Sequence, residues 1–220
     1  CLLFQFLLCL LGNLMTITLA SSSIAFVVMA AGQSKRLGQP KQSVLYQGES
    51  LLVRQIKLCQ KSSTNVYCVL GFEADTFATE LAGVDVNILI NQDWQSGLGS
   101  SIASAITQLP KTYQAVMIVL VDQWALTSAD LNELVKQWHA QPNKIIACSS
   151  VMTEAGNNKK LLSPPIIFPQ AYFSQLTDLT GEQGAKPVLV NNSENVVDVN
   201  IRHAFFDLDT PEQLAELNKR

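Results

Sequence analysis

The sequence predicts an α/β fold of three layers, a mostly parallel sheet with helices on both faces. Three observations predict it. Apolar strand-like runs alternate with helical stripes from residue 24 onward. The run 115–121 is apolar at every position, as a strand buried on both faces of a parallel sheet must be. Two helix-start signatures, Thr127…Asp130 and Thr210…Gln213, come after strand-like segments.

Taken in order, residues 24–29 form the first strand. Residues 50–60 carry Leu51, Leu52, Ile56 and Leu58 on a helical stripe. Residues 66–70 read as a strand, 74–81 as a short helix, 86–90 as a strand and 100–109 as a helix. After the central strand 115–121, Thr127 and Asp130 have capping-box spacing, with Asp in place of the usual Glu or Gln. The helix they open carries Leu131, Leu134, Val135 and Trp138 on one face, and 144–148 is the next strand.

Beyond Cys148 the pattern loosens. Residues 153–160 are polar and rich in Gly and Asn, and are expected to form a mobile loop. Residues 164–168 read as a short extended segment, 171–176 and 184–190 as helices, and 196–199 and 204–208 as two short strands paired in a hairpin. Thr210-Pro211-Glu212-Gln213 is the second capping box, with Pro at the first helical position. It opens a terminal helix through Leu214 and Leu217.

A chain of 220 residues suits one domain, expected over residues 23–220. Residues 1–22 read as an apolar N-terminal extension. Its run 1–11 is short for a transmembrane span and lacks the basic start of a signal peptide. The chain begins with Cys1, and Met15 offers an alternative start. Residues 1–14 are therefore expected to be upstream translation or a dispensable extension, and membrane attachment is not expected.

Net charge is −3 with 15% charged residues, which excludes a broad basic surface for nucleic acid. A local cluster of Lys35, Arg36 and Lys41 in an acidic chain points instead to a small anionic ligand. The five cysteines form no Cys-x-x-Cys pair and give no complete disulfide framework. Cys68 and Cys148 lie in apolar runs and are expected as buried free thiols, which fits a reducing cytoplasm. His139 and His203 lack metal-ligand spacing and are expected at surfaces or edges.

The chemistry concentrates at strand ends. Directly after the first strand comes Ala30-Ala31-Gly32-Gln33-Ser34-Lys35-Arg36-Leu37-Gly38-Gln39-Pro40-Lys41. Small residues let main chain approach a base or phosphate closely, N–H groups of such a turn form an anion-binding concavity, and two cations neutralise a polyphosphate. Asp122 follows the central strand and is expected beside those phosphates, where one or two carboxylates suit Mg²⁺. Asp207 and Asp209 flank Leu208, and one of them is expected to complete a metal site. Gly97 and Gly99, with Ser100 and Ser101, form another turn leading into a helix, where polar ligand atoms can be received. This turn is neither a dinucleotide fingerprint nor a Walker A loop, because Ile102 stands where the third glycine belongs and no Gly-Lys-Ser/Thr follows.

The segment 30–41 resembles the signature of the MobA-like nucleotidyltransferases, and the chain is similar, more narrowly, to molybdenum cofactor cytidylyltransferases. The resemblance covers about residues 24–217 and includes Asn91…Trp94…Gly97-x-Gly99-x-Ser101, Val121-Asp122-Gln123, Gly181-Glu-Gln-Gly-Ala185 and Leu208-Asp-Thr-Pro-Glu212. It implies a Rossmann-like fold of the nucleotide-diphospho-sugar transferase type. It also implies transfer of CMP from CTP to the terminal phosphate of molybdopterin with release of pyrophosphate, dependent on Mg²⁺ or Mn²⁺. Arg36, Lys41 and Asp122 are implied as the catalytic set. Ala30, Ala31, Gly32, Ser34, Arg36, Lys41, Gly97, Gly99, Ser100 and Ser101 are implied to hold the nucleotide, and Asp122 and Asp209 the metal. A molybdenum hydroxylase is the implied client. Three alternatives stay open: a guanylyl enzyme, a sugar-phosphate nucleotidyltransferase, and a non-catalytic cofactor-delivery protein.

The chain departs from the pattern at three places. Trp124 replaces the proline usual after Asp122-Gln123, Ser163-Pro164-Pro165 replaces Gly-x-Pro, and Gly181-Glu182 replaces Gly-Asp. The last two fall in the half expected to shape the acceptor pocket.

Overall fold

The computed structural model describes residues 23–154 and 157–217; the N-terminal extension 1–22 lies outside the described residues. The centre of the fold is β1 (Ile24–Ala30), all seven of whose residues are buried. It pairs in parallel with β4 (Val66–Leu70) on one side and with β6 (Ala115–Leu120) on the other. The short hairpin strands β2 (Leu45–Tyr46) and β3 (Glu49–Ser50) pair separately. With β5 (Asn87–Ile90), β7 (Ile145–Glu154), β8 (Asn157–Pro169) and β9 (Val196–Asn200), the main sheet has the order β5-β4-β1-β6-β8-β7-β9. Only β8 runs against the others.

Strand alternation divides the core in two. Ile24, Phe26 and Val28 face one side with Met117 and Val119, beneath α1 (Leu51–Gln60) and α4 (Ser128–Ala140). Ala25, Val27 and Met29 face the other with Val116 and Ile118, beneath α3 (Leu98–Gln108). Burial on both faces explains why these strands read as unbroken apolar runs. The shorter helices are α2 (Ala74–Glu80), α5 (Phe173–Thr177), α6 (Lys186–Asn191) and α7 (Pro211–Leu217).

The helix starts follow their sequence signals. Ser50 caps α1 by accepting from Val53 N at 3.3 Å. The Thr127–Asp130 box is fully formed, and Leu131, Leu134, Val135 and Trp138 are the buried stripe of α4. At α7, Gln213 Oε1 accepts from Thr210 N at 3.0 Å. Cys59, Cys68 and Cys148 are buried free thiols, and burial pushes the Cys59 thiol up to about 12.

Two expectations are corrected. In its described residues, 153–154 and 157–160, this segment is strand and not loop: β7 and β8 run as a long antiparallel pair out to Glu154 and Asn157. Its polar composition hides a strand pair, because the pairing is made between two segments and not within either one. Segment 204–208 is not a strand, nor does it form a hairpin with 196–199. Residues Arg202–Phe205 form a single 3-10 turn, and β9 pairs in parallel with β7. Ala204 and Leu208 are buried as anchors of an irregular crossing, which leaves the same alternating apolar trace as a strand.

Candidate active site

A cleft of about 720 Å³ opens at the carboxyl ends of β1 and β6. That is where open parallel sheets bind ligands. Its floor is the turn Ala30, Ala31 and Gly32. A Cβ at Gly32 would meet nothing within 4 Å, so packing does not demand glycine there; its absence of a side chain leaves the floor bare.

The turn is held from beneath by Gln42, a buried amide beside the cleft. Its Nε2 donates to Ala30 O at 2.6 Å and Gly32 O at 2.9 Å. Phe72 N donates to Ala31 O at 2.9 Å. Ser34 lies at a positive φ of 58°, and its hydroxyl accepts from Lys41 N at 3.2 Å, which folds the loop back on itself. These contacts carry Lys41 to the mouth of the cleft.

There Lys41 Nζ meets two carboxylates. It donates to Asp122 Oδ2 at 2.5 Å and to Asp209 Oδ1 at 2.5 Å. Arg36 adds a second cation, donating to Asp209 Oδ2 at 3.1 Å. The Lys41 and Asp122 side chains are only 14% and 11% exposed, whereas the Arg36 side chain is 78% exposed. Burial pulls the Lys41 pKa down, but the charge and hydrogen bond of Asp122, with those of Asp209, outweigh it and leave the ammonium above its usual range. Burial pushes Asp209 up, but Lys41 and then Arg36 hold its carboxyl below the usual carboxylate range.

Buried glutamines also fix the two acid-bearing segments. Gln123 accepts from Leu120 N through Oε1 at 3.2 Å. Its Nε2 donates to Pro164 O at 2.5 Å and Ala204 O at 2.8 Å, tying β6 to β8 and to the turn that precedes Asp209. Gln55 on α1 donates to Leu120 O and Gln123 O at 2.9 and 3.1 Å. Asp209 N in turn donates to Gln213 Oε1 at 2.7 Å.

The donor set fits a hard divalent cation. Both carboxylates contact one Lys41 nitrogen, so their oxygens lie within about 5 Å of each other. Asp122 Oδ1 is buried with no hydrogen-bond partner. Among the described residues no group of three or more His, Cys, Asp or Glu gathers to hold a metal. Two carboxylates are what Mg²⁺ takes when phosphate oxygens and water complete its shell.

Comparison with known proteins now decides the family. The MobA-like NTP transferase domain matches residues 26–196. The chain belongs to that family.

Among MobA-like relatives, "Nicotine blue oxidoreductase" of Paenarthrobacter nicotinovorans is 26% identical over 199 residues, covering 87% of this chain and 94% of that protein. "Purine catabolism protein PucB" of Bacillus subtilis is 27% identical over 201 residues, covering 85% and 92%. Among solved structures, Rv0371c from Mycobacterium tuberculosis has a TM-score of 0.73 at 21% identity, covering 91% of this chain and 100% of its own. It has also been solved in complex with manganese, with a TM-score of 0.72 at 19% identity and the same coverage. These structural likenesses show the nucleotide-diphospho-sugar transferase type of fold. The family assignment makes this MobA-like chain a nucleotidyltransferase.

The cleft brings together Ala30, Ala31, Gly32, Ser34, Arg36, Lys41, Gly97, Ser101, Asp122 and Asp209. Gly99 and Ser100 are not among the residues that line it. Gly99 packs instead on the next layer of chain: a Cβ there would sit 2.5 Å from Thr180 O, and its N–H donates to Gly181 O at 2.8 Å. Ser100 Oγ is occupied with Asp93 O and Gly97 O at 2.9 and 2.8 Å. Asp207 is exposed and outside the lining. Trp94 and Glu182 line the cleft without having been singled out as ligand-binding residues. Gln42 gives no local signal in the sequence, since the same loop already holds Gln33 and Gln39.

Proposed function

We propose that this protein transfers CMP from CTP to the terminal phosphate of the molybdopterin cofactor, with release of pyrophosphate. The observation that carries the reading is the Lys41 ammonium set between Asp122 and Asp209, at the mouth of a cleft floored by the bare Ala30–Gly32 main chain. Two cations and two carboxylates at one strand end answer the two needs of nucleotidyl transfer, neutralising phosphate charge and holding a divalent ion.

In this reading an acceptor phosphate oxygen forms a bond to the α-phosphorus while the bond to the bridging oxygen of the β-phosphate breaks. Pyrophosphate leaves with that electron pair. The acceptor oxygen is already ionised, so no side chain has to take its proton. Lys41 moves onto the α-phosphate, where charge builds in the transition state, and the exposed Arg36 holds the β- and γ-phosphates. Asp122 and Asp209 would hold Mg²⁺ or Mn²⁺, which when bound would supply neutralisation of phosphate charge. The turn at Gly97 and Ser101 contacts base and ribose. Positioning and preorganised charge supply the rate.

The choice of CTP rests on Met29-Ala30-Ala31-Gly32, where the guanylyl branch of the resemblance has Leu-Ala-Gly-Gly. The test is pyrophosphate release with CTP, GTP, ATP and UTP, each with and without molybdopterin and Mg²⁺. The expected result is release with CTP only when the acceptor is present. Release with GTP and not CTP overturns the base assignment. No release in any pairing overturns transfer itself, and favours cofactor delivery or the redox chemistry that the Paenarthrobacter relative's name describes.

A further inference from the structure

We infer that Lys41 is the resident cation of the metal site, and that the protein admits a divalent ion together with a triphosphate rather than ahead of it. The inference rests on the proposed reading for the identity of the triphosphate, and on the geometry alone for the exclusion of free metal.

The pair Asp122 and Asp209 offers four carboxylate oxygens. Three already have a cationic partner: Asp122 Oδ2 and Asp209 Oδ1 are on Lys41 Nζ, and Asp209 Oδ2 is on Arg36. The fourth, Asp122 Oδ1, is buried and has no partner. A metal ion arriving alone therefore finds one unengaged oxygen, out of contact with solvent. Two carboxylates here face two cations, and the exposed Asp207, near enough to feel the charges of Asp122, Asp209 and Lys41, adds one negative charge, which is too little to offset a divalent ion. Adding such an ion to this cluster leaves an excess of positive charge beside a half-buried ammonium, where repulsion is poorly screened.

A triphosphate changes both terms. Its oxygens are better partners for Lys41 and Arg36 than shared carboxylates, because they carry more negative charge and accept charge-assisted hydrogen bonds. As the cations turn onto the phosphates, the carboxylate oxygens are released, and the added negative charge demands a counter-ion. Lysine and metal thus use the same two carboxylates in succession. Arg36 has the freedom to make this exchange at 78% exposure, and Lys41 has only the reach of its own side chain to cover. Linkage makes the coupling mutual: the triphosphate tightens the metal by the factor by which the metal tightens the triphosphate.

Titration calorimetry of MnCl₂ into the full chain, with no nucleotide, tests the resident-cation role directly. Lys41→Met is expected to bind Mn²⁺ at least tenfold more tightly than the wild type, whereas Lys41→Arg, which keeps the charge, remains weak. Unchanged Mn²⁺ affinity in Lys41→Met overturns the inference. Circular dichroism checks that variant. If it does not fold, Arg36→Met serves, since that exposed side chain frees Asp209 Oδ2 alone; a gain of about threefold is expected and no gain overturns the inference. A second titration uses wild-type protein with one equivalent of α,β-methylene CTP, compared with MnCl₂ titrated into the analogue alone, because a triphosphate binds Mn²⁺ by itself. Mn²⁺ is expected to bind at least tenfold more tightly than to the free protein and more tightly than to the analogue alone, and affinity equal to either overturns the coupling. Failure of the analogue to bind at all counts against the CTP reading, and the metal-only comparison still decides the role of Lys41.

Discussion

Lys41 is the residue on which the site turns. It is drawn inward by Ser34, held by two carboxylates, and kept protonated by them. Lys41→Ala and Asp122→Asn are each expected to lower kcat by roughly 10²–10³-fold, the usual loss for one preorganised charge partner. Both should leave the far-ultraviolet circular dichroism unchanged, because Asp122 follows the end of β6, Lys41 opens a single 3-10 turn, and neither lies in a core layer. The ionic cluster also sets a pH dependence. Asp209 is held below its usual 3.8, so its contribution to stability is present above that value and is lost as pH falls through the lowered folded value. Lys41 is held above its usual 10.5, so its contribution is present below that value and is lost as pH rises through the raised one. Melting temperature should therefore fall on the acid side below about pH 4, and Asp209→Asn should flatten that limb. An acid limb of identical slope in both proteins counts against the pairing. At this scale the cations and Asp122 were legible in the sequence because each sits in a short, unusual context. Ser34 was legible as a site residue but not as a brace, since its partner is main chain seven residues on.

At the level of elements, the site is assembled by buried amides. Gln42 ties the floor turn, Gln123 ties β6 to β8 and to the Arg202–Phe205 turn, and Gln55 ties α1 to the end of β6. Gln123→Leu leaves Leu120 N, Pro164 O and Ala204 O without their partner, and is expected to cost about 2–4 kcal/mol in a urea melt. Gln42→Leu is expected to cost about 1–3 kcal/mol. Its larger effect should be on nucleotide KM, because the floor carbonyls at Ala30 and Gly32 lose their shared donor. A stability loss with unaltered KM would confine Gln42 to packing. Such amides are invisible to periodicity: each is one polar residue whose partners lie on other segments. The same reason hid the far end of the β7 and β8 pair. Strand pairing is a relation between segments, and Ser, Asn and Lys along that end supply none of the apolar alternation by which a single strand is read.

For the whole molecule, sequence pattern was most reliable where burial is complete. The strands β1, β4 and β6 and the stripe of α4 were legible because both core layers demand apolar side chains at fixed spacing. Leu134 is fully buried in one of these layers, and Leu134→Ala is expected to cost about 2–5 kcal/mol. In a protein of this size each kcal/mol lowers the melting temperature by about 2–4 °C. Sheet order was not legible, since no residue of β8 announces that it runs against its neighbours. The carboxyl half was hardest to read, because short turns there are pinned by single anchors such as Ala204 and Leu208.

The glycines of the 97–101 turn carry a further consequence. A Cβ at Gly97 would lie 2.5 Å from Gly181 O, and one at Gly99 would lie 2.5 Å from Thr180 O. The 97–101 turn and the segment bearing Glu182 are therefore cut to each other's shape. A chimera that takes its first half from this protein and its second from a relative will inherit one surface of that joint without the other. Recombination or engineering aimed at a new acceptor has to move residues 97–101 and 180–184 as one block, or the two halves will meet with a gap or a clash at the rim of the cleft.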